Sequence, residues 1–152
     1  MSTHKTLRGT CQCLTVRYRV EDSFAYALYC HCSVCRRSTG AAAKPTAGIP
    51  RSKITITAGA ESISIVKAEE AQGWHDERCG KCGSLLFALV EATNWAHIAM
   101  GMLVDEPSVR IEAHAFVGSK AGWEILPEDG LVRFDGHASE EWLRERKSKS
   151  QG

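Results

Sequence analysis

Seven cysteines carry most of the chemistry this chain could do, and they fall as Cys11-x-Cys13, Cys30-x-Cys32-x-x-Cys35 and Cys79-x-x-Cys82. Thiolate sulfur is a soft donor, and tetrahedral zinc is built from closely spaced pairs of such ligands. Two pairs suffice to close one site, whereas the triplet leaves a second metal one ligand short. A four-thiolate zinc is normally structural, while a three-ligand zinc keeps a position for water or a substrate sulfur. Four plus three therefore reads as one scaffold metal and one working metal, two Zn2+ per chain.

Other uses of cysteine fit less well. Disulfides are disfavoured because the count is odd and no apolar signal segment follows His4, Lys5 and Arg8. A chain of 152 residues can also build a core without covalent staples. Cys79-Gly80-Lys81-Cys82 lacks the strand-to-helix setting of a thioredoxin-like pair; Gly83 and an apolar run follow it, as in a zinc knuckle. A second zinc reading stays open, in which both metals are structural and His31, His75 or His114 completes the triplet.

Composition bounds the rest. With 43% hydrophobic and 24% charged residues the chain fits one domain, 1–152, with a core over about 7–135 and a C-terminal helix and tail over 138–152. The net charge of +1 offers no broad field for nucleic acid or an anionic membrane. The most apolar stretch, Gly83 to Val104, contains Glu91, Asn94 and His97, and a mid-span acid costs about 2.5–3.5 kcal/mol in a bilayer. It reads instead as two buried strands. A reducing, cytoplasmic address is expected, because it keeps thiolates available.

The elements that must position these thiols are mostly strands. Leu14, Val16, Tyr18 and Val20 alternate with polar residues, and Cys11 and Cys13 precede them in phase with each other, so both should point to one side. Ala25 to Cys30 reads as a strand delivering the Cys30–Cys35 turn, and 36–40 as a short turn or helical start. Further strands are expected at 53–57, 62–66, 85–90, 97–102 and 109–117. Only Ser139 to Arg146 looks helical, with Ser139 as N-cap and a polar tail that frays from Lys147. The expected architecture is mainly antiparallel β, with metals replacing part of a core; structural zinc contributes roughly 10–16 kcal/mol of apparent binding energy in small domains. A metal joining Cys11/Cys13 to Cys79/Cys82 would clamp the first strand to the middle of the chain.

Together, Gly9-x-Cys11-x-Cys13 with Val16-x-Tyr18, Cys30-His31-Cys32-x-x-Cys35-Arg36 ending at Gly40-Ala41, Cys79-x-x-Cys82-Gly83, and His114-x-Phe116-Val117-x-Ser119-Lys120-Ala121-x-Trp123 cover most of residues 7 to 126. Four ordered motifs at these places resemble the glutathione-dependent formaldehyde-activating enzyme family, whose domain is shared with centromere protein V. The resemblance implies a zinc-stabilised antiparallel β-tent, a structural zinc on Cys11, Cys13, Cys79 and Cys82, and a second zinc on Cys30, Cys32 and Cys35. That is the partition the spacing suggests. Two positions depart from the family pattern, Gly122 in place of a proline and Arg78 in place of an aromatic residue, and both touch the presumed substrate walls.

An open zinc would deprotonate an incoming thiol beside an electrophilic carbonyl such as formaldehyde, so carbon–sulfur bond formation or its reverse is the expected reaction. Cys30, Cys32 and Cys35 would carry it. Arg36, Arg37 and Lys120 are candidate partners for the carboxylates of a glutathione-like thiol, with Trp123 beside them. Trp74, Trp95 and Trp123 are read as core or pocket wall. His31 or His114 could move a proton or orient the metal turn. The expected activity is a zinc-dependent carbon–sulfur lyase or thiol-adduct synthase; the alternative is a non-catalytic zinc module binding protein or nucleic acid, which would need a closed second site and a continuous basic or aromatic surface.

Overall fold

Alternating apolar positions build two sheets whose inner faces share one core. The computed structural model describes residues 3–151. In chain order it has β1 (Thr6–Thr10), β2 (Arg17–Glu21), β3 (Tyr26–Cys30), α1 (Ser33–Thr39), β4 (Lys44–Pro50), β5 (Ile54–Ala58), β6 (Ile63–Val66) and β7 (Trp74–Cys79). Then follow β8 (Leu85–Val90), β9 (Trp95–Ala99), β10 (Ala113–Ala115), β11 (Val132–Arg133) and α2 (Glu140–Ser150). The small sheet runs β1-β2-β5, and the large one β11-β10-β3-β4-β9-β8-β7-β6. No helix of the described residues is long and apolar enough to cross a membrane.

The core follows from register. Leu7, Tyr18, Val20 and Ile54 of the small sheet pack against Ala27, Ala47, Ile49, Phe87, Ala96 and Ile98 of the large one, all nearly sealed from solvent. Burying each leucine, valine, isoleucine or phenylalanine of this set stabilises the fold by about 1.5–3 kcal/mol. Tyr18 and Phe87 meet edge to face, with ring centroids 4.9 Å apart. Gly9 pairs with Tyr18 across β1 and β2, and Gly48 with Tyr26 across β3 and β4; a β-carbon at either glycine would collide with the tyrosine ring.

The opposite face of the large sheet is the one that carries Cys30. Period-two pairing puts Tyr26, Leu28 and Cys30 of β3 in line with Gly48, Thr46 and Lys44 of β4, and Gly48 with His97 of β9. A second apolar cluster forms here, from Tyr26, Leu28, Cys30, Ala113, Ala115, Ala138 and Trp142. It is closed by α2, whose N-cap Ser139 accepts a hydrogen bond from the Trp142 amide at 3.2 Å. The helix continues to Ser150 rather than fraying from Lys147. Its last turns are docked: Arg146 lies 3.9 Å over the Trp142 ring and bonds Glu112 at 2.6 Å, and Lys147 lies 4.4 Å over Trp95. Gly152 is outside the described residues, as are Met1 and Ser2.

The expected all-antiparallel arrangement is corrected to a mixed one. β10 runs parallel to both β3 and β11, and of the strand expected over 109–117 only three residues form it. The cause is the path that leads there. After β9 the chain turns through Met100–Met102 and crosses the small sheet, pinned by Val104 N–H to the Arg8 carbonyl at 2.9 Å, Arg8 to Asp105 at 2.8 Å and Ser108 to Asp22 at 2.6 Å. This crossover returns it to the free edge of β3 in β3's own direction, as parallel neighbours require.

Candidate metal centre

The first cysteine group is built from two turns rather than from a strand face. β2 begins only at Arg17; Cys11 to Val16 form a loop in which Leu14 takes a positive φ of 64°. The expectation that Cys11 and Cys13 share a strand face is therefore corrected, although their sulfurs do converge. The loop is closed by Cys11 N–H to the Val16 carbonyl at 3.1 Å, and the Val16 amide donates to Cys11 Sγ at 3.2 Å. The Cys79–Cys82 turn is closed by the Gly83 amide on the Cys79 carbonyl at 2.8 Å, with Gly83 at φ 77°. Ser84 joins the two turns, accepting from the Gln12 amide at 3.0 Å while its hydroxyl lies 3.2 Å from Cys82 Sγ.

The second group sits at a strand-to-helix junction on the other face of the large sheet. Cys30 ends β3, Cys32 is the N-cap of α1, and Cys35 lies in its first turn. The Cys35 amide donates to Cys32 Sγ at 3.3 Å. Gly40, left-handed at φ 69°, ends the helix by donating to the Arg36 carbonyl.

Both groups have the shape of a thiolate metal site. The ligand atoms of Cys11, Cys13, Cys79 and Cys82 all lie within 4.8 Å of one another, as do those of Cys30, Cys32 and Cys35. Tetrahedral zinc with Zn–S bonds of about 2.3 Å places its sulfurs roughly 3.8 Å apart. Cys13 Sγ is 3.6 Å from Cys11 Sγ and 3.8 Å from Cys79 Sγ. Each group also contains a thiol poised to ionise. The Cys30 and Cys35 sulfurs, helped by the Cys35 and Val34 amides, push Cys32 down to about 2, and the Ser84 hydroxyl and amide push Cys82 down to about 5. Burial raises Cys11, and its sulfur neighbours raise Cys30. A dication would gather these sulfurs as thiolates.

A family model described as "Glutathione-dependent formaldehyde-activating enzyme" matches residues 6–119, a span that contains both cysteine groups. The chain belongs to the glutathione-dependent formaldehyde-activating enzyme family. A curated protein of Halomonas elongata, named "Putative glutathione-dependent formaldehyde-activating enzyme", is 29% identical over 148 residues, covering 90% of this chain and 93% of that one. A crystal structure of a Rhodobacter sphaeroides protein shares the fold with a TM-score of 0.56 at 21% identity, over 84% of this chain and 99% of that one.

Among the described residues of this family member, no histidine nitrogen joins the three sulfurs of the second group. His75 lies 3.2 Å from Glu91. His31 and His114 are both buried and bond each other at 2.9 Å, and His114 Nε2 donates to Asp129 at 2.8 Å. Because the carboxylate can only accept, His114 Nδ1 is left to accept from His31 Nε2. This chain fixes the His31 ring between Cys30 and Cys32, and the His31 amide is tied to the Ala115 carbonyl at 3.0 Å.

The expected substrate residues are placed unevenly. Arg36 is half-buried, with Nε sealed from solvent and no acceptor among the described residues. Arg37 is exposed and paired with Glu70 at 2.7 Å. Lys120 is turned onto backbone, donating to the Glu124 carbonyl at 2.9 Å. Trp123, read from sequence as core or wall, is 72% exposed, while Ala121, two residues before it, is buried. Trp74 and Trp95 are half-buried on the Cys30 face.

Arg78, one of the two departures from the family pattern, ties the two cysteine groups together. It donates to the Gly83 carbonyl at 3.0 Å and to the Ser38 carbonyl and hydroxyl at 2.6 Å, while Ser38 bonds Asp76 at 2.8 Å. An aromatic residue there would lose this bridge between the Cys82 turn and α1.

His97 occupies the same face as Cys30, stacked on Trp74 at 4.9 Å and bonded to the Tyr26 hydroxyl at 2.6 Å. Burial, reinforced by the charges of Lys44 and Lys147, lowers its pKa from 6.5 to about 3. Between those two values the unfolded chain binds a proton that the folded protein refuses, so stability falls as pH falls through the window. The expected slope is up to about 1.4 kcal/mol per pH unit. Thermal midpoints of metal-loaded protein from pH 7 to pH 5 should fall more steeply for wild type than for His97→Gln; equal slopes would exclude His97 as the cause.

Proposed function

We propose that this chain is a zinc-dependent carbon–sulfur lyase or thiol-adduct synthase, similar to S-(hydroxymethyl)glutathione synthase, built on a zinc-stabilised β-tent. Its substrates would be a small thiol such as glutathione and formaldehyde or a related carbonyl. The observation that carries this reading is the contrast between four gathered sulfurs in one group and three in the other, with no further histidine, aspartate or glutamate ligand atom beside the three among the described residues. A closed set is a scaffold, and an incomplete one leaves a position to an outside ligand.

Zinc held by Cys30, Cys32 and Cys35 would act as a Lewis acid, lowering the pKa of a thiol that takes its fourth position. The deprotonated thiol would add its sulfur to the carbonyl carbon, the C=O electron pair would move to oxygen, and that oxygen would take up the proton the thiol had given up. The reverse sequence cleaves the carbon–sulfur bond. Cys32 at the N-cap keeps the ligand set anionic, and the His31–His114–Asp129 chain holds the turn in place. Arg36 keeps its proposed role as a partner for a substrate carboxylate, because its guanidinium is engaged by nothing else among the described residues. Arg37, Lys120 and Trp123 are weaker candidates, being paired, turned onto backbone and exposed in turn.

Cobalt substitution tests the reading. Adding glutathione to cobalt-loaded protein should change the ligand-field spectrum, because a fourth thiolate joins the metal, and S-methylglutathione should not reproduce the change. Identical spectra with and without saturating free thiol would overturn it and favour a non-catalytic zinc module.

A further inference from the structure

Beside the three-cysteine group lies a lysine whose side chain is largely covered and whose ammonium the chain itself leaves unanswered. Lys44 opens β4 directly opposite Cys30, at a spacing where facing Cα atoms of an antiparallel pair are about 4.5–5.5 Å apart. It is only 7% exposed, and its charge reaches Cys35 on one side and His97 on the other. No carboxylate, hydroxyl or carbonyl among the described residues accepts from its ammonium. Arg37, Lys120 and Arg78, by contrast, are each bound to acceptors of the chain.

The surroundings suit an incoming anion. Lys44 lines an open depression of about 340 Å³ that runs from α1 at Ser38 and Thr39 to Arg78 and the Cys82 turn of the other group; Cys30, Cys32 and Cys35 do not line it, and neither does any aspartate or glutamate. Lysine acts on such a partner as a point charge on a flexible stem, tolerant of where the anion sits.

We infer that Lys44 holds a carboxylate of the thiol substrate while the thiol's sulfur is at the Cys30, Cys32 and Cys35 group; this rests on the thiol reading proposed above. The substrate class is a small thiol bearing a carboxylate within a few bonds of its sulfur. Cysteine and cysteamine, which share a skeleton and differ by that carboxylate, separate this role from simple neutralisation of the thiolates, which would favour every thiol alike. Glutathione and its diethyl ester form a second such pair.

Binding is read from the spectrum of cobalt-loaded protein, with Lys44→Met and Lys44→Gln compared with wild type and with each variant's thiol-free spectrum checked for an intact site. Wild type should bind cysteine at least tenfold more tightly than cysteamine. Both variants should lose about tenfold for cysteine and glutathione, and less than twofold for cysteamine and the ester. Equal losses for all four thiols, or no losses, would overturn the assignment of Lys44 while leaving the thiol reading in place. A wild-type spectrum unmoved by any of the four would overturn both.

Discussion

Replacing Cys79 by serine is expected to abolish cooperative folding, while the same change at Cys32 leaves a folded protein that has lost its response to thiols. Cys79 is 1% exposed, and its sulfur lies 3.8 Å from that of Cys13, 66 residues earlier in the chain. A metal there joins the loop before β2 to the turn between β7 and β8. Its apparent binding energy of roughly 10–16 kcal/mol is comparable to the whole stability of a domain, about 5–15 kcal/mol. Losing one ligand therefore removes most of the margin. The Cys30–Cys35 group spans six residues already ordered by the end of β3 and by α1, so breaking it releases little chain entropy. Thermal melts and circular dichroism of Cys11→Ser, Cys79→Ser, Cys32→Ser and Cys35→Ser decide the matter. If the triplet variants unfold and the others melt normally, the roles of the two groups are reversed.

Chelation should separate the two metals in the same order. Protein purified with its thiols protected is expected to hold two zinc ions, and a competing chelator should take one equivalent well before the other. The three-ligand metal has fewer protein bonds to break, whereas a closed set must open against the packing around Cys11 and Cys79, both essentially sealed. Alkylation followed by mass spectrometry should then find Cys30, Cys32 and Cys35 modified while Cys11, Cys13, Cys79 and Cys82 stay protected. Acid should release metal as well, since each ligand must be deprotonated to bind. A protein with one tightly held ion and a freely alkylated triplet would exclude a working metal.

Spacing alone grouped the seven cysteines into two pairs and a triplet, because ligands one to three residues apart in a turn can converge on a single ion; that the two pairs meet, across 66 residues, is a matter of the fold. The same local physics made β3, β5, β6, β8 and the cap of α2 legible: apolar alternation and a serine before two glutamates act over a few residues. Of the strands that escaped notice, β1, β4, β7 and β11, the two longest hide behind locally wrong residues. β4 holds Pro45, Gly48 and Pro50, which argue against a central strand, yet Gly48 is what lets Tyr26 lie across it. β7 reads His75-Asp76-Glu77-Arg78, a polar run in which Asp76 and Arg78 meet Ser38 and His75 meets Glu91, each from elsewhere in the chain.

Contacts distant in sequence, by contrast, were decided only by the tertiary structure. The parallel course of β10, the pairing of His31 with His114 across 83 residues and the arginine bridge between the two metal turns depend on where the crossover returns the chain. So does the identity of the cations near the second group. Arg37 and Lys120 look available in sequence because charge is a property of the residue, but availability depends on which acceptors the fold brings to it. Glu70 and a backbone carbonyl satisfy those two, whereas strand register sets Lys44 opposite Cys30 with no acceptor at all among the described residues.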